Sequence, residues 1–230
     1  MTQCFAATLR RVIAAGLFAA MAQAAEPAAP GAVAVARWKH DAQAAYEADR
    51  FESAATLYAK AARAGDDVAR FNAAAVRLRH HTRVPTKAQA LAWLRASAVD
   101  GFAPAQYLLA TLLDYGQIVP QDKAGATRWY ERAGEQGHAD AALAAGTQYY
   151  LGRGAPQDYA AAARWYQRAA EAGDVAAQYM IASMYETGTG VSQDLEQALH
   201  WYTAAARQGD VAARGQARGL TERIARERAS

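Results

Sequence analysis

Residues 177–209 read AQYMIASMYETGTGVSQDLEQALHWYTAAARQG, and the order of small, aromatic and turn residues in this stretch decides the fold. Its first half places Ala177, Ile181, Ala182 and Tyr185 at steps of four, one and three, an apolar stripe on the 3.6-residue period of an α-helix. Its second half repeats the device with Ala198, Trp201, Tyr202 and Ala205. Gly188-Thr189-Gly190 interrupts the pattern, and Gly209 follows it, where a positive φ closes the last helical turn. The stretch therefore predicts two helices, about Ala177 to Thr187 and about Asp194 to Arg207, folded back on each other. Small residues at Ala182 and Ala205 let the two axes approach, leaving the large rings to fill the space between neighbouring pairs.

The same sentence recurs along the chain. Trp93, Trp129, Trp165 and Trp201 stand 36 residues apart. Gly65, Gly101, Gly137, Gly173 and Gly209 keep that step, and Ala69, Ala105, Ala141, Ala177 and Ala213 follow four residues after each. Asp122, Asp158 and Asp194 hold the phase at helix N-cap positions, where a carboxylate accepts orphan backbone N–H groups and faces the positive dipole end, worth roughly 1 kcal/mol. Several residue types in phase over so many copies mark a repeat array, which a single globular core would not impose. The expected fold is all-α, a solenoid of about eleven helices in pairs folded back on each other. A looser N-terminal unit covers residues 37–66, anchored by Tyr46, Phe51, Leu57 and Tyr58; the 36-residue repeats span 67–210. The loop His80 to Thr86 lacks the usual glycines, and residues 211–230 form a charged helix, about Val211 to Arg228, that caps the stack.

Before the repeats, Arg10 and Arg11 precede an apolar run from Val12 to Ala22 that is too short to span a bilayer as a helix. With Ala22-Gln23-Ala24 as a cleavage site, residues 1–24 read as a signal peptide cut after Ala24, the alternative being an uncleaved anchor. Residues 25–36, Pro-containing at the start, read as a flexible linker. Localisation is then periplasmic or secreted, with no integral span in the mature chain. The sole cysteine, Cys4, precedes the apolar run, so the mature chain has neither disulfides nor thiol chemistry and no lipidation cysteine at the cut. Cleavage removes two arginines and no acid, lowering the formal charge from +3 to +1, which does not point to nucleic acid as partner.

The unit at 177–209 resembles the Sel-like repeat family, relatives of tetratricopeptide repeats. Units beginning at Ala105 and Ala141 resemble it with departures: Leu113 stands where Tyr149 and Tyr185 stand, and Gln117-Ile118 replaces the second loop glycine. At Ala69 the likeness is weakest, with Arg77 at the tyrosine position. The resemblance covers about Ala69 to Gly209, with a tetratricopeptide-like unit before it. It implies an all-α, right-handed superhelical solenoid of antiparallel helix pairs acting as an adaptor or scaffold; exported bacterial members are associated with envelope assembly, exopolysaccharide machinery, peptidoglycan-related processes and host contact. A cysteine-rich branch is linked to β-lactam hydrolysis, an activity that the cysteine-free mature chain here argues against.

No catalytic constellation accompanies the repeats: there is no HExxH, GxSxG or SxxK, no phosphate-cradling loop and no cysteine nucleophile in the mature chain. Gly152/Gly154 and Gly188/Gly190 mimic a GxG loop but follow helices, so they read as interhelical turns. His80-His81 reads as an exposed loop pair, since adjacent helical positions diverge by about 100° and no clustered ligands complete a metal site. His40, His138 and His200 are dispersed surface residues; no metal or cofactor is expected. Carboxylates such as Glu171, Asp174, Asp194 and Glu196 fall at caps or outer faces rather than in a glycosidase-like pair. The tryptophans read as packing residues, with sugar stacking as the alternative.

By resemblance to tetratricopeptide units, the first helices turn Phe71, Tyr107, Thr111, Asp114, Tyr115, Thr147, Tyr150, Tyr179, Ser183 and Glu186 toward the concave surface. Tyrosines there supply contact area with a polar handle, as at interface hot spots; Tyr107 and Tyr179 are equally readable as core. The expected function is a non-enzymatic scaffold of the cell envelope that binds a protein or peptide on that face. The alternative is a factor that binds or processes an envelope polymer, peptidoglycan or exopolysaccharide.

Overall fold

The computed structural model describes residues 30–229. The signal segment, its cut after Ala24, Cys4 and the start of the expected linker lie outside the described residues. Eleven helices and no strand occur among them: α1 (Pro30–Glu47), α2 (Phe51–Arg63), α3 (Asp67–His80), α4 (Lys87–Val99), α5 (Ala103–Tyr115), α6 (Lys123–Glu135), α7 (Ala139–Leu151), α8 (Tyr159–Glu171), α9 (Val175–Thr187), α10 (Leu195–Arg207) and α11 (Val211–Ala229). From α5 to α10 every helix is 13 residues long, and loops at 116–122, 152–158 and 188–194 alternate with short links at 136–138, 172–174 and 208–210. That alternation is the physical content of the 36-residue phase.

Helix boundaries are set by side chains in register. Asp122, Asp158 and Asp194 accept from the backbone N–H of Gly125, Ala161 and Gln197 at 2.8, 2.8 and 2.9 Å. One residue earlier in each copy, the amides of Gln121, Gln157 and Gln193 donate to the carbonyls of Asp114, Tyr150 and Glu186 at 2.7, 2.9 and 2.8 Å, pinning each seven-residue loop to the helix before it. The second loop glycine has a harder reason than turn propensity. Gly190 has φ +72°, and a Cβ there would lie 2.3 Å from the carbonyl oxygen of Tyr159. Gly154 meets the carbonyl of Lys123 at the same distance.

The chain divides into two compact units, one up to Leu109 and one from Ala110, each described by itself. In the first, α1 packs on α2, α2 on α3 and α3 on α4. Its core is mostly alanine (Ala42, Ala54, Ala55, Ala59, Ala73) around the buried Tyr58 and Val76, with Trp38, Tyr46, Phe51 and Trp93 packed at its margin. Tyr58 donates to Gln43 Oε1 at 3.0 Å, and Lys39 pairs with Asp66 at 2.8 Å. Helix α1 begins at Pro30, inside the stretch read as linker: proline is preorganised for a helical first turn, and Val35 packs against this core.

A further departure falls in this unit. His80 and His81 are not an exposed loop pair. His80 ends α3 half-buried, its ring stacked on Phe51 with centroids 3.5 Å apart and planes 10° off parallel, because α3 runs one turn position further before His81 takes the left-handed cap at φ 54°. Burial, reinforced by Arg79 and opposed by Asp49, lowers the His80 pKa to about 4.

In the second unit α6 packs on α7, α7 on α8, α8 on α9, α9 on α10 and α10 on α11. Ala162, Ala169, Ala182, Ala198 and Ala205 let helices close in, while Tyr166, Ile181, Trp201 and Tyr202 fill the intervals; Leu220 and Ile224 of α11 seal the last face. Trp165 touches the preceding pair where glycine makes room, since a Cβ on Gly134 of α6 would come 2.9 Å from its ring. Arg132 and Arg168 lie over the rings of Trp129 and Trp165 at 4.6 and 5.4 Å, occupying the flat surfaces a sugar would need.

Candidate interaction surface

The second helices α6, α8 and α10 each carry a tyrosine just after the tryptophan, and the fate of its hydroxyl organises the surface. Tyr130, Tyr166 and Tyr202 are buried. Tyr130 donates to Thr111 Oγ1 at 3.4 Å, the Tyr166 and Thr147 hydroxyls lie 3.2 Å apart, and Tyr202 donates to Glu186 Oε2 at 2.9 Å and also bonds Ser183. Burial is the leading cause that raises the pKa of all three phenols, so they remain protonated donors at neutral pH. Thr111, Thr147 and Ser183 occupy one phase of the repeat, and the earlier copy that has Leu94 in the tyrosine's place has Ala75 in the hydroxyl's. Both are fully buried, so ring and partner are replaced together by apolar groups.

This geometry corrects part of the expected surface. Phe71 and Thr111 are fully buried and Tyr107 is 4% exposed, so none of the three offers contact area to a partner. Phe71 packs edge-on to Phe102 at 5.2 Å. Thr147 spends its hydroxyl on Leu143 O at 2.9 Å besides meeting Tyr166. A helical stripe locates these residues on one side of the first helix; only the neighbouring second helix decides that it covers them.

The residues that do reach solvent lie one turn further, at the C-terminal ends of the first helices. Tyr115 is 37% exposed, and Leu151, its equivalent one repeat later, 45%. Tyr150 is half-buried, edge-on to Tyr159 at 5.2 Å, and Tyr159 is itself 39% exposed. Gln148 donates to Asp114 Oδ2 at 3.0 Å, tying α7 to α5 at this level. Tyr179 stands half-buried, edge-on to Tyr202 at 5.2 Å, and Glu186 is held by the Tyr202 hydroxyl. Leu151 and Tyr159 were missing from the sequence reading. Their signal was departure from the repeat: Tyr159 stands at the first helical position where the other copies have Lys123 and Leu195.

The Tyr149 hydroxyl and His138 Nδ1 of the same unit are engaged. Tyr149 donates to Glu131 at 2.6 Å, a hydrogen bond that, with burial and the carboxylate charge, raises its pKa to about 12. His138 accepts from the Ala141 N–H through Nδ1 at 3.4 Å as the N-cap of α7, and burial lowers its pKa. Among the described residues no three His, Cys, Asp or Glu side chains gather as metal ligands would, and no helix is long and apolar enough to cross a membrane. The arrangement offers aromatic area with hydroxyl donors, which suits binding.

Comparison with known proteins follows this architecture. The family profile described as Sel1 repeat matches residues 42–66, 103–138, 139–174 and 175–210. The first of these falls within residues 37–66, the unit expected to be tetratricopeptide-like. Among solved structures, a Sel1 repeat protein from Oxalobacter formigenes is similar at 32% identity over 80% of this chain and 78% of that one, with a TM-score of 0.69. A protective antigen of uropathogenic Escherichia coli displaying an SLR fold is similar at 31% identity and a TM-score of 0.67, covering 72% of this chain. This chain spans only 36% of that antigen. An immunity protein of Pseudomonas aeruginosa, at 22% identity over 83% of this chain and 69% of that one, with a TM-score of 0.52, shares the fold alone. No curated protein matches the sequence.

Proposed function

This chain belongs to the Sel1 repeat family, whose members are typically protein–protein interaction scaffolds, and from that premise we propose that it is a non-enzymatic scaffold holding a protein or peptide segment against the tyrosine-bearing ends of α5 and α7. The observation that carries this reading is the grouping of Tyr115, Tyr150, Leu151 and Tyr159 at the solvent-facing ends of adjacent elements, where a globular unit would otherwise bury them. Asp114 and Glu186 flank this row as fixed acceptors, so an extended segment with backbone or side-chain donors is the chemistry it fits. Its place of work is the cell envelope, periplasmic or secreted; Arg10-Arg11, the apolar run and Ala22-Gln23-Ala24 support export with a mature N-terminus at Ala25.

The test is affinity capture from the native envelope fraction, comparing the wild type with a Tyr115→Ala, Tyr150→Ala double variant by mass spectrometry. A specific protein retained by the wild type and lost with the variant is the expected result. The same proteins in both captures would remove this surface from the account, and recovery of glycan alone would favour binding of peptidoglycan or exopolysaccharide instead.

A further inference from the structure

The repeat serves as its own control, and it isolates one cleft. Where the N-terminus of α3 meets the C-terminus of α4, Asp67, Val68, Ser97, Asp100, Gly101 and Phe102 line a cleft of about 300 Å³. Of these six only Gly101 is shared with the other copies, and four of the five departures bear on the chemistry of the cleft. Ser97 replaces an alanine present at Ala61, Ala133, Ala169 and Ala205, all of them fully buried. Asp100 stands where Ala64, Gln136, Ala172 and Gln208 stand, and Asp67 where Ala103, Ala139, Val175 and Val211 stand. Phe102 replaces the capping side chains Asp66, His138, Asp174 and Asp210.

The substitutions change the chemistry of the place. In the last copy Gln208 closes the equivalent point by donating to Gly173 O at 3.3 Å and to Gln178 Oε1 at 3.0 Å. The Asp100 side chain has no N–H to donate there. It is exposed, has no ion-pair partner among the described residues, and sits at a helix C-terminus, which adds to the negative field. Asp67 is neutralised by Arg70 at 3.0 Å, so one carboxylate is left uncompensated. Ser97 is 3% exposed, and its hydroxyl oxygen has no hydrogen-bond partner, a deficit of the kind a ligand donor relieves. Val68 and Phe102 supply apolar walls, and the Phe102 ring is held edge-on by Phe71.

We propose that this cleft binds a primary ammonium on an alkyl stem, the side chain of a lysine in a protein partner. The stem lies along Val68 and Phe102, and the ammonium donates to Ser97 Oγ and the Asp100 carboxylate. A compact ammonium fits one free carboxylate and one hydroxyl, whereas a guanidinium directs its donors as a planar fork that wants a bidentate carboxylate. The cleft lies entirely in the unit that ends at Leu109 and shares no residue with the tyrosine row, so either proposal can fail without the other.

The test is a titration of the isotope-labelled chain with N-acetyl-lysine N-methylamide, followed by amide chemical shifts. Saturable shifts at Ser97, Asp100, Gly101 and Phe102 are expected, absent with the norleucine analogue, which keeps the stem and lacks the ammonium. Asp100→Asn should weaken binding at least tenfold. Ser97→Ala, which restores the residue of the other copies and so keeps the fold, should weaken it severalfold. Absence of shifts, equal shifts from norleucine, sodium or calcium, tighter binding of the arginine analogue, or indifference to Asp100→Asn would each overturn the assignment.

Discussion

His80 shows how one ring can couple this fold to pH. Its ring lies on Phe51 and edge-on to Tyr46 at 5.7 Å, in surroundings that hold its pKa at about 4. Desolvation and the neighbouring Arg79 and His81 favour the neutral form, with Asp49 alone opposing. In the unfolded chain the imidazole takes its proton near pH 6.5. Because the folded pKa is the lower one, the stability tied to His80 is fully present above pH 6.5 and is lost as pH falls from there toward 4. His138 adds a dependence of the same sign, since its Nδ1 can accept from the Ala141 N–H only when unprotonated. Urea denaturation midpoints measured from pH 7.5 to 4 should therefore fall, and His80→Phe should flatten part of that fall. An unchanged profile in the variant would remove His80 from the account.

At the scale of the element, two classes of glycine behave oppositely. Gly190 is held at φ +72° with the Tyr159 carbonyl 2.3 Å from any added Cβ, so Gly190→Ala combines a left-handed penalty with a backbone clash and should cost about 2 kcal/mol or more. Gly215 and Gly219 lie inside α11 with nothing within 4 Å of an added Cβ. Alanine there should stabilise by about 0.4–1 kcal/mol each, through helix propensity and a less free unfolded chain. Thermal unfolding of the three single variants decides the matter, and a Gly190→Ala protein as stable as the wild type would show that the loop can move off α8. The loops also explain why their glycines looked like a phosphate-binding motif: the same residue type answers close backbone approach in both settings.

For the molecule, the ends of the stack carry a burden that interior helices do not. Leu220 and Ile224 of α11 are 3% and 9% exposed and cover the face built by Trp201, Tyr202 and Ala205. A chain ending at Asp210 would uncover that face and forfeit about 3 kcal/mol or more for the two side chains alone. It should unfold at lower denaturant concentration and associate at concentrations where the full chain does not, measurable by chemical denaturation and light scattering; equal midpoints would show that α11 is not a cap.

The sequence determined the period, the helix pairs, the aspartate caps and the alanine-lined approaches, because each follows from local propensity and from spacing that every copy repeats. It marked the candidate surface only as a stripe. Tyr107 and Tyr115 both lie on the first helix of one copy, yet Tyr107 is 4% exposed and Tyr115 37%, and Thr111 between them is fully buried beside Tyr130. Whether a residue on a stripe meets solvent depends on where the following helix crosses it, and that crossing is set by packing between helices more than twelve residues apart. The same holds for the Ser97 cleft: its residues are visible as departures from the repeat, but only the folded chain brings Asp67 and Asp100 to one place.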